Sequence, residues 1–257
     1  MRWILFIIIM TMCLSGNQSV FANVIITEEN RSFLSTQYND TDFQKKLQSF
    51  YTWHTNDQQT QFDMQTARER NNERTSQAEQ AIREVDSSVI NKYETQYNSV
   101  RAKHEKLLST YKKLTQQYAT VKLLNKSPIK KAIQTELDII RPAVYFARSD
   151  INQSLKKLQQ VRKTRTTRMA QLRKQLQSIQ TKKSKVLAVR SALTPVNQLL
   201  EAEWRSLSKQ KDRSLGTVTL NKCISLATEL TMRKSTILQL EKQIETELTI
   251  LLQRTSR

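Results

Sequence analysis

Residues that form turns are nearly missing from this 257-residue chain, which contains two glycines, Gly16 and Gly216, and three prolines. Glycine and proline ordinarily make up about 7% and about 5% of a protein. Sheet-rich folds need many tight turns, and tight turns depend on Gly, Pro and Asn in special backbone conformations. The composition therefore argues against sandwiches, barrels and Gly-rich nucleotide-binding folds, and it predicts an all-α protein with few, long helices.

The first 22 residues have the pattern of a secretory signal peptide. Arg2 supplies the positive charge, residues 3–12 are apolar, and Val20 and Ala22 are small residues at the −3 and −1 positions of a cleavage site. This apolar run is shorter than the roughly 20 residues that span a bilayer, and no later run is longer. We therefore expect cleavage after Ala22, a secreted, periplasmic or cell-surface location, and no transmembrane segment in the mature chain.

Two alternatives to a cleaved signal peptide apply to the N-terminus. The segment could stay uncleaved as an amphipathic helix. A lipoprotein anchored through Cys13 is the other alternative, although Met10 and Met12 are larger than the residues expected there.

Cleavage of the signal peptide would determine whether a disulfide can form within the chain. Loss of Cys13 would leave Cys223 alone, so no intramolecular disulfide could form. We expect Cys223 to be a buried, unreactive thiol on an apolar stripe, with an intermolecular disulfide as the alternative.

Turn signals divide the rest of the chain into a polar N-terminal segment, 23–56, and an elongated helical bundle, 57–257. The polar segment contains one short aromatic helix, 43–53, and the polar residues 55–57 are expected to separate this helix from the bundle. Ser127-Pro128 and Thr194-Pro195 each combine an N-cap residue with a proline suited to the first helical turn. A polar stretch at 209–216 is expected to precede the last helix. The predicted arms are 57–124, 128–193 and 196–253.

Each arm carries an apolar seam, and much of the first seam has the three-and-four spacing of a coiled coil. Each arm would be about 90–100 Å long at 1.5 Å per residue, and short turns make neighbouring arms antiparallel. We therefore predict an elongated antiparallel coiled coil or three-helix bundle with a short N-terminal helix. A two-helix hairpin with a separate C-terminal domain is the alternative. Pro142 lies within the second seam and is expected to kink this helix rather than end it.

The positive charge of the chain is concentrated in one stretch. The formal net charge is +19, from 42 Lys and Arg against 23 Asp and Glu. Residues 151–200 contain 12 basic residues and no acidic residue, whereas residues 23–100 contain 8 basic and 12 acidic residues. Soluble helices usually pair lysine with glutamate four residues away, and this pairing is impossible within the basic stretch.

The preceding arm can neutralise part of this charge. If the first two arms are antiparallel about a turn at 125–128, Arg162 and Arg165 face residues 88–91, and Lys182 faces residues near 70. Ion pairs between the arms would then help to set their register. The acidic residues nearest to these positions are Glu84, Asp86, Glu94, Glu69 and Glu73.

The remaining charge predicts an anionic partner. Each Lys or Arg near a charged membrane surface adds about 1 kcal/mol to binding. We expect an anionic envelope polymer or membrane surface rather than nucleic acid, because no aromatic residue that could stack on bases lies between Phe146 and Trp204. The anion-binding candidates are Lys156, Lys157, Arg162, Lys163, Arg165, Arg168, Arg173, Lys174, Lys182 and Lys185.

The sequence gives no basis for catalysis. A metal site needs three or four clustered ligands, and the two histidines, His54 and His104, stand apart from such a cluster in the sequence. Gly-rich phosphate loops and nucleophile-elbow motifs are missing from the sequence. We therefore expect no enzyme activity, no cofactor and no metal, and we expect His104 to be a partly buried seam residue.

An aromatic cluster near the N-terminus has two interpretations. It either plugs one end of the bundle, which we favour, or docks a partner protein. The partner-docking candidates are Phe43, Phe50, Tyr51 and Trp53.

Together these features favour an exported, non-enzymatic coiled-coil protein that has a binding or scaffold role at an anionic bacterial envelope surface and acts through its basic helix. The alternative is a coiled-coil regulator of a cell-wall hydrolase, or a periplasmic holdase chaperone, that binds a protein partner. A homo-oligomer is also compatible with the pattern. A helical pore-forming toxin is disfavoured because the apolar runs after residue 22 are too short to insert.

Overall fold

The computed structural model describes residues 24–123 and 127–256, and these residues form helices and no strand. Four of the helices are long and pack against each other, so the predicted all-α helical bundle is confirmed. Within the described ranges, every helix is too short or too polar to be a membrane-spanning segment. The helices of these described residues are α1 (Glu28–Gln37), α2 (Thr41–Glu84), α3 (Ser87–Leu123), α4 (Ser127–Ser191), α5 (Leu193–Leu207) and α6 (Arg213–Thr255).

Two sequence predictions lie wholly or partly outside these described ranges. The signal peptide at 1–22 is outside them, and so are residues 124–126 of the turn predicted at 125–128. Helix α4 begins at Ser127, next to the predicted turn.

The polar residues 55–57 do not end a helix, which corrects the predicted boundary between a short aromatic helix and the first arm. Helix α2 runs without interruption from Thr41 to Glu84. Within it, Asp57 accepts hydrogen bonds from the Lys234 ammonium at 2.6 Å. This tertiary ion pair outweighs the weak local preference of Asn and Asp for turns.

A break that was not predicted divides the first arm. Helices α2 and α3 are separated by Val85 and Asp86, and Asp86 has a φ of 56°. This left-handed conformation costs an L-residue about 1–2 kcal/mol, and Asp and Asn tolerate it better than most residues.

Pro142 and Pro195 both lie inside helices. Helix α4 continues through Pro142, so the prediction that this proline does not end the helix is confirmed. Helix α5 starts at Leu193, and its N-cap position is Ala192 rather than the predicted Thr194. Pro195 is tolerated in this first turn because the first N–H groups of a helix have no intrahelical acceptor.

Gly216 lies inside the first turn of α6 instead of in a polar break. Helix α6 begins at Arg213, and the Asp212 carboxylate caps it by accepting hydrogen bonds from the backbone N–H groups of Ser214 at 2.8 Å and Leu215 at 3.1 Å. A Cβ atom at Gly216 would overlap the Tyr38 ring. Glycine is needed here for close approach of the Tyr38 side chain, not for a turn.

The described residues form two compact units. Unit 1 comprises residues 24–77 and 176–251, and unit 2 comprises residues 78–123, 127–175 and 252–256. The core of unit 1 includes Phe43, Phe50, Met64, Ile179, Leu200, Trp204, Leu220, Leu230, Ile237 and Leu248. The core of unit 2 includes Ala78, Ile82, Val85, Ile90, Leu114, Leu137, Val144, Ala147, Leu158 and Leu172.

Candidate anion-binding surface

Three arginines of the basic stretch have structural partners within unit 2. Arg162 forms an ion pair with Glu94. The Arg165 guanidinium donates to the Arg83 carbonyl at 2.7 Å and to Ser87 Oγ at 3.1 Å. Arg83 lies in the last turn of α2, so Arg165 satisfies a carbonyl at a helix C-terminus, where cations are favoured. The antiparallel register predicted for this pair of arms is therefore observed to within a few residues.

Arg168 contacts the helix break itself. Its guanidinium donates to Asp86 Oδ1 at 2.7 Å and to the carbonyl of Arg254 at 2.8 Å. The Arg168 and Asp86 side chains are 27% and 20% exposed, so water screens this ion pair only in part. Arg165 and Arg168 thus both contact the region where α2 ends and α3 begins.

Two lysines of the stretch have partners within unit 1. Lys182 pairs with Glu247 of α6, which corrects the prediction that it faces Glu69 or Glu73. Lys183 donates to Asn72 Oδ1 at 2.9 Å, close to the predicted register. Helix α6 therefore neutralises part of the charge that the sequence assigned to the first arm.

The other six anion-binding candidates are exposed. Among the described residues, none of the six has an ion pair or a side-chain hydrogen bond. They are Lys156, Lys157, Lys163, Arg173 and Lys174 in unit 2, and Lys185 in unit 1.

The excess charge collects in unit 2. Residues 78–175 contain 21 Lys and Arg against eight Asp and Glu, a net charge of +13. Five of these acids, Glu79, Asp86, Glu94, Asp138 and Asp150, lie in ion pairs or charge-assisted contacts with basic side chains of the same unit. A surface with this balance attracts anions at long range, and salt weakens the attraction.

The aromatic cluster belongs to the core of unit 1. Phe43 stacks on Tyr38 with ring centroids 4.2 Å apart, and Phe50 stacks on Trp204 at 5.1 Å. Phe43 and Phe50 are each 1% exposed, so neither offers a free surface to a partner. Tyr51 and Trp53 are half-buried, and docking through these two residues stays a prediction.

Sequence reasoning missed a set of buried polar residues in unit 1. Lys234 is fully buried against Asp57, and desolvation lowers its pKa, against the opposing effect of the Asp57 carboxylate. Asn71 donates to the Glu241 carboxylate at 2.7 Å. The seam of α6 already indicates that residues 234 and 241 belong to the core. Leu230, Ile237 and Ile244 are seven residues apart, as in a heptad repeat, and a heptad has a second core position four residues after the first.

The remaining reactive groups are Cys223 and the two histidines. Cys223 is buried in the core of unit 1, and this burial raises its pKa to about 12. His104 Nε2 lies 3.1 Å from Asp150 Oδ2, and His54 Nε2 lies 2.8 Å from the Val24 carbonyl. Within residues 24–123 and 127–256, no three His, Cys, Asp or Glu side chains are grouped so that they could hold a metal ion.

Comparison with known proteins adds no family to this description. No protein-family model, no curated protein and no solved structure matches the chain.

Proposed function

We propose that this chain is an exported, non-enzymatic coiled-coil protein that binds an anionic surface of the bacterial envelope through its basic helix α4. The observation that carries the proposal is the set of exposed candidates in unit 2, Lys156, Lys157, Lys163, Arg173 and Lys174, which have no acidic partner among the described residues. Burial of an anion is not required, because clustered surface lysines retain a protein at a charged surface without a shaped pocket.

The paired arginines support this assignment because they make contacts within the protein that the exposed candidates do not make. Arg165 and Arg168 use their guanidinium groups for carbonyls and a carboxylate of unit 2. If the part of the stretch in unit 2 served packing alone, its lysines would be expected to have similar partners. Instead the exposed cations keep solvated head groups, so they are free to meet an external anion.

Two matched variants test the proposal. The variant K156Q/K163Q/K174Q removes three exposed charges from unit 2, and K45Q/K209Q/K242Q removes three exposed charges from unit 1. Retention of each full chain is measured on immobilised polyphosphate and on isolated envelope fragments at about 0.05 M and about 0.5 M salt, where screening lengths differ about threefold. We expect strong retention at low salt that is reduced in the first variant and kept in the second.

Two results would count against the proposal. The first is equal retention of the wild-type chain on charged and neutral matrices, which would remove the electrostatic basis. The second is an envelope complex that survives high salt and depends on Trp53, which would favour the protein-partner alternative. Export is tested separately by sequencing the N-terminus of the protein from culture medium or envelope, where we expect Asn23 as the first residue.

A further inference from the structure

The exposed face of α4 in unit 2 carries apolar side chains as well as lysines. Ile139 is 71% exposed, Tyr145 is 72% exposed and Phe146 is 68% exposed. The Tyr145 and Phe146 rings contact each other edge to face, with centroids 6.0 Å apart. These three residues are called the aromatic patch below. Water-facing apolar clusters of this kind mark interaction sites.

The aromatic patch and the lysines share one side of the helix. At 3.6 residues per turn, Lys156 and Lys174 are five turns apart and point the same way, and Lys163 and Tyr145 lie within about 20° of them. Phe146 and Ile139 lie about 80–100° away on the same solvent side. The buried residues Leu158 and Ala147 face the opposite direction.

Charges around the aromatic patch favour an anionic occupant. The nearby acids Asp138 and Asp150 are already engaged by Arg141 and His104, and Glu136 is the remaining acid of this stretch of α4. A second copy of the chain bound through this face would bring two sets of lysines together, and like charges at an interface are unfavourable.

We infer that the aromatic patch inserts into the headgroup region of an anionic lipid bilayer while Lys156, Lys163 and Lys174 contact the lipid phosphates. This inference rests on the proposed function and names the bilayer, rather than a wall polymer, as its partner. Aromatic side chains concentrate at the membrane interface, and a helix face that combines apolar residues with lysines lies in that plane.

Site-specific fluorescence tests the insertion directly. Phe146→Trp places a reporter in the aromatic patch, and Phe62→Trp places one at a phenylalanine of unit 1 with a similar exposure of 66%. Both full chains are mixed with vesicles of equal phosphatidylglycerol and brominated phosphatidylcholine. We expect the F146W signal to shift to shorter wavelength and to be quenched, and the F62W signal to change no more than the parent protein. Equal behaviour of the two reporters would overturn the inference.

A patch variant separates this inference from the proposed function. In I139S/Y145S/F146S we expect at least a tenfold loss of affinity for the same vesicles, with retention on polyphosphate unchanged and the helical circular dichroism kept. If the wild-type chain binds polyphosphate but not vesicles, the bilayer inference fails while the proposed function stands. If it binds neither, the proposed function itself fails. A wild-type dimer that this variant converts to monomers would assign the aromatic patch to a second copy instead.

Discussion

Arg168 holds Asp86 through a 2.7 Å ion pair, and Asp86 is the residue at which the chain turns between α2 and α3. Asp86 is also the one non-glycine residue with a positive φ among the described residues. An arginine of the basic stretch therefore stabilises a backbone conformation that is unfavourable by itself. The same guanidinium satisfies the Arg254 carbonyl, so it joins three segments of unit 2.

The Asp86 side chain and its backbone conformation make separate contributions, which two substitutions distinguish. Asp86→Ala removes the ion pair and places alanine in a left-handed conformation, so we expect a loss of about 3 kcal/mol in the free energy of unfolding. Asp86→Asn keeps a residue that tolerates this conformation, so we expect about half that loss. Urea unfolding monitored by circular dichroism measures both. Equal losses would show that the backbone conformation has no part in the effect.

Replacing Gly216 reverses the usual effect of a glycine in a helix. Helix propensity alone predicts that Gly216→Ala stabilises the protein by about 1 kcal/mol. Because a Cβ would overlap the Tyr38 ring, we expect a loss of about 1–3 kcal/mol instead. Thermal unfolding gives the sign, and Thr217→Ala is the control one position along the same helix. A stabilised G216A variant would contradict the close approach of Tyr38.

Asp212 gives unit 1 a pH dependence in the acid range. Hydrogen bonds from the Leu215 backbone and from the Ser214 side chain and backbone hold the pKa of this exposed carboxyl below its ordinary value of 3.8. The folded state therefore binds this proton less readily than the unfolded state. The stabilisation is complete well above pH 3.8 and is lost as pH falls through the lower folded pKa.

Asp212→Asn removes this titration while keeping a side chain that caps helices well. We expect the stability difference between wild type and D212N to shrink as pH is lowered below about 4. Denaturant unfolding at a series of pH values measures it. A difference that stays constant down to acid pH would exclude Asp212 as the titrating group.

The buried pair of Lys234 and Asp57 is expected to show strong coupling. Asp57→Ala leaves the Lys234 ammonium without this carboxylate, and breaking a buried pair costs about 3–5 kcal/mol. The double variant D57L/K234M replaces both charges by apolar groups, so we expect a smaller loss than for D57A alone. The comparison uses urea unfolding at neutral pH, and a double variant that is less stable than D57A would contradict the expected coupling.

The apolar seams and the antiparallel register were predictable because they depend on periodicity, which the sequence displays directly. The break at Asp86 was not, because no proline or glycine marks it. Its partner, Arg168, is 82 residues away. Local propensity carries no information about a contact that forms only when the helices pack.

The basic composition of the candidate surface was predictable, but which of its charged side chains are paired and which are exposed was not. Charge counting found the basic stretch, yet it treated Arg168 and Lys163 alike, although the first is paired and the second is exposed. The aromatic patch was not predicted, because Tyr145 and Phe146 are adjacent residues of a helix that also carries an apolar seam. Whether such residues face the core or the solvent becomes clear only once the buried side of the helix is known.

The central claim is that the exposed lysines of the basic stretch bind the anionic surface while its paired arginines stabilise the fold. One comparison of two variants tests this claim. K156Q/K163Q/K174Q and R162Q/R165Q/R168Q each remove three charges from α4 in unit 2, and both are examined for thermal unfolding and for low-salt binding to vesicles that contain phosphatidylglycerol. We predict that the lysine variant loses binding at an unchanged melting temperature. The arginine variant should unfold at a lower temperature while its folded form still binds. If the lysine variant binds as tightly as the wild-type chain, the central claim is wrong.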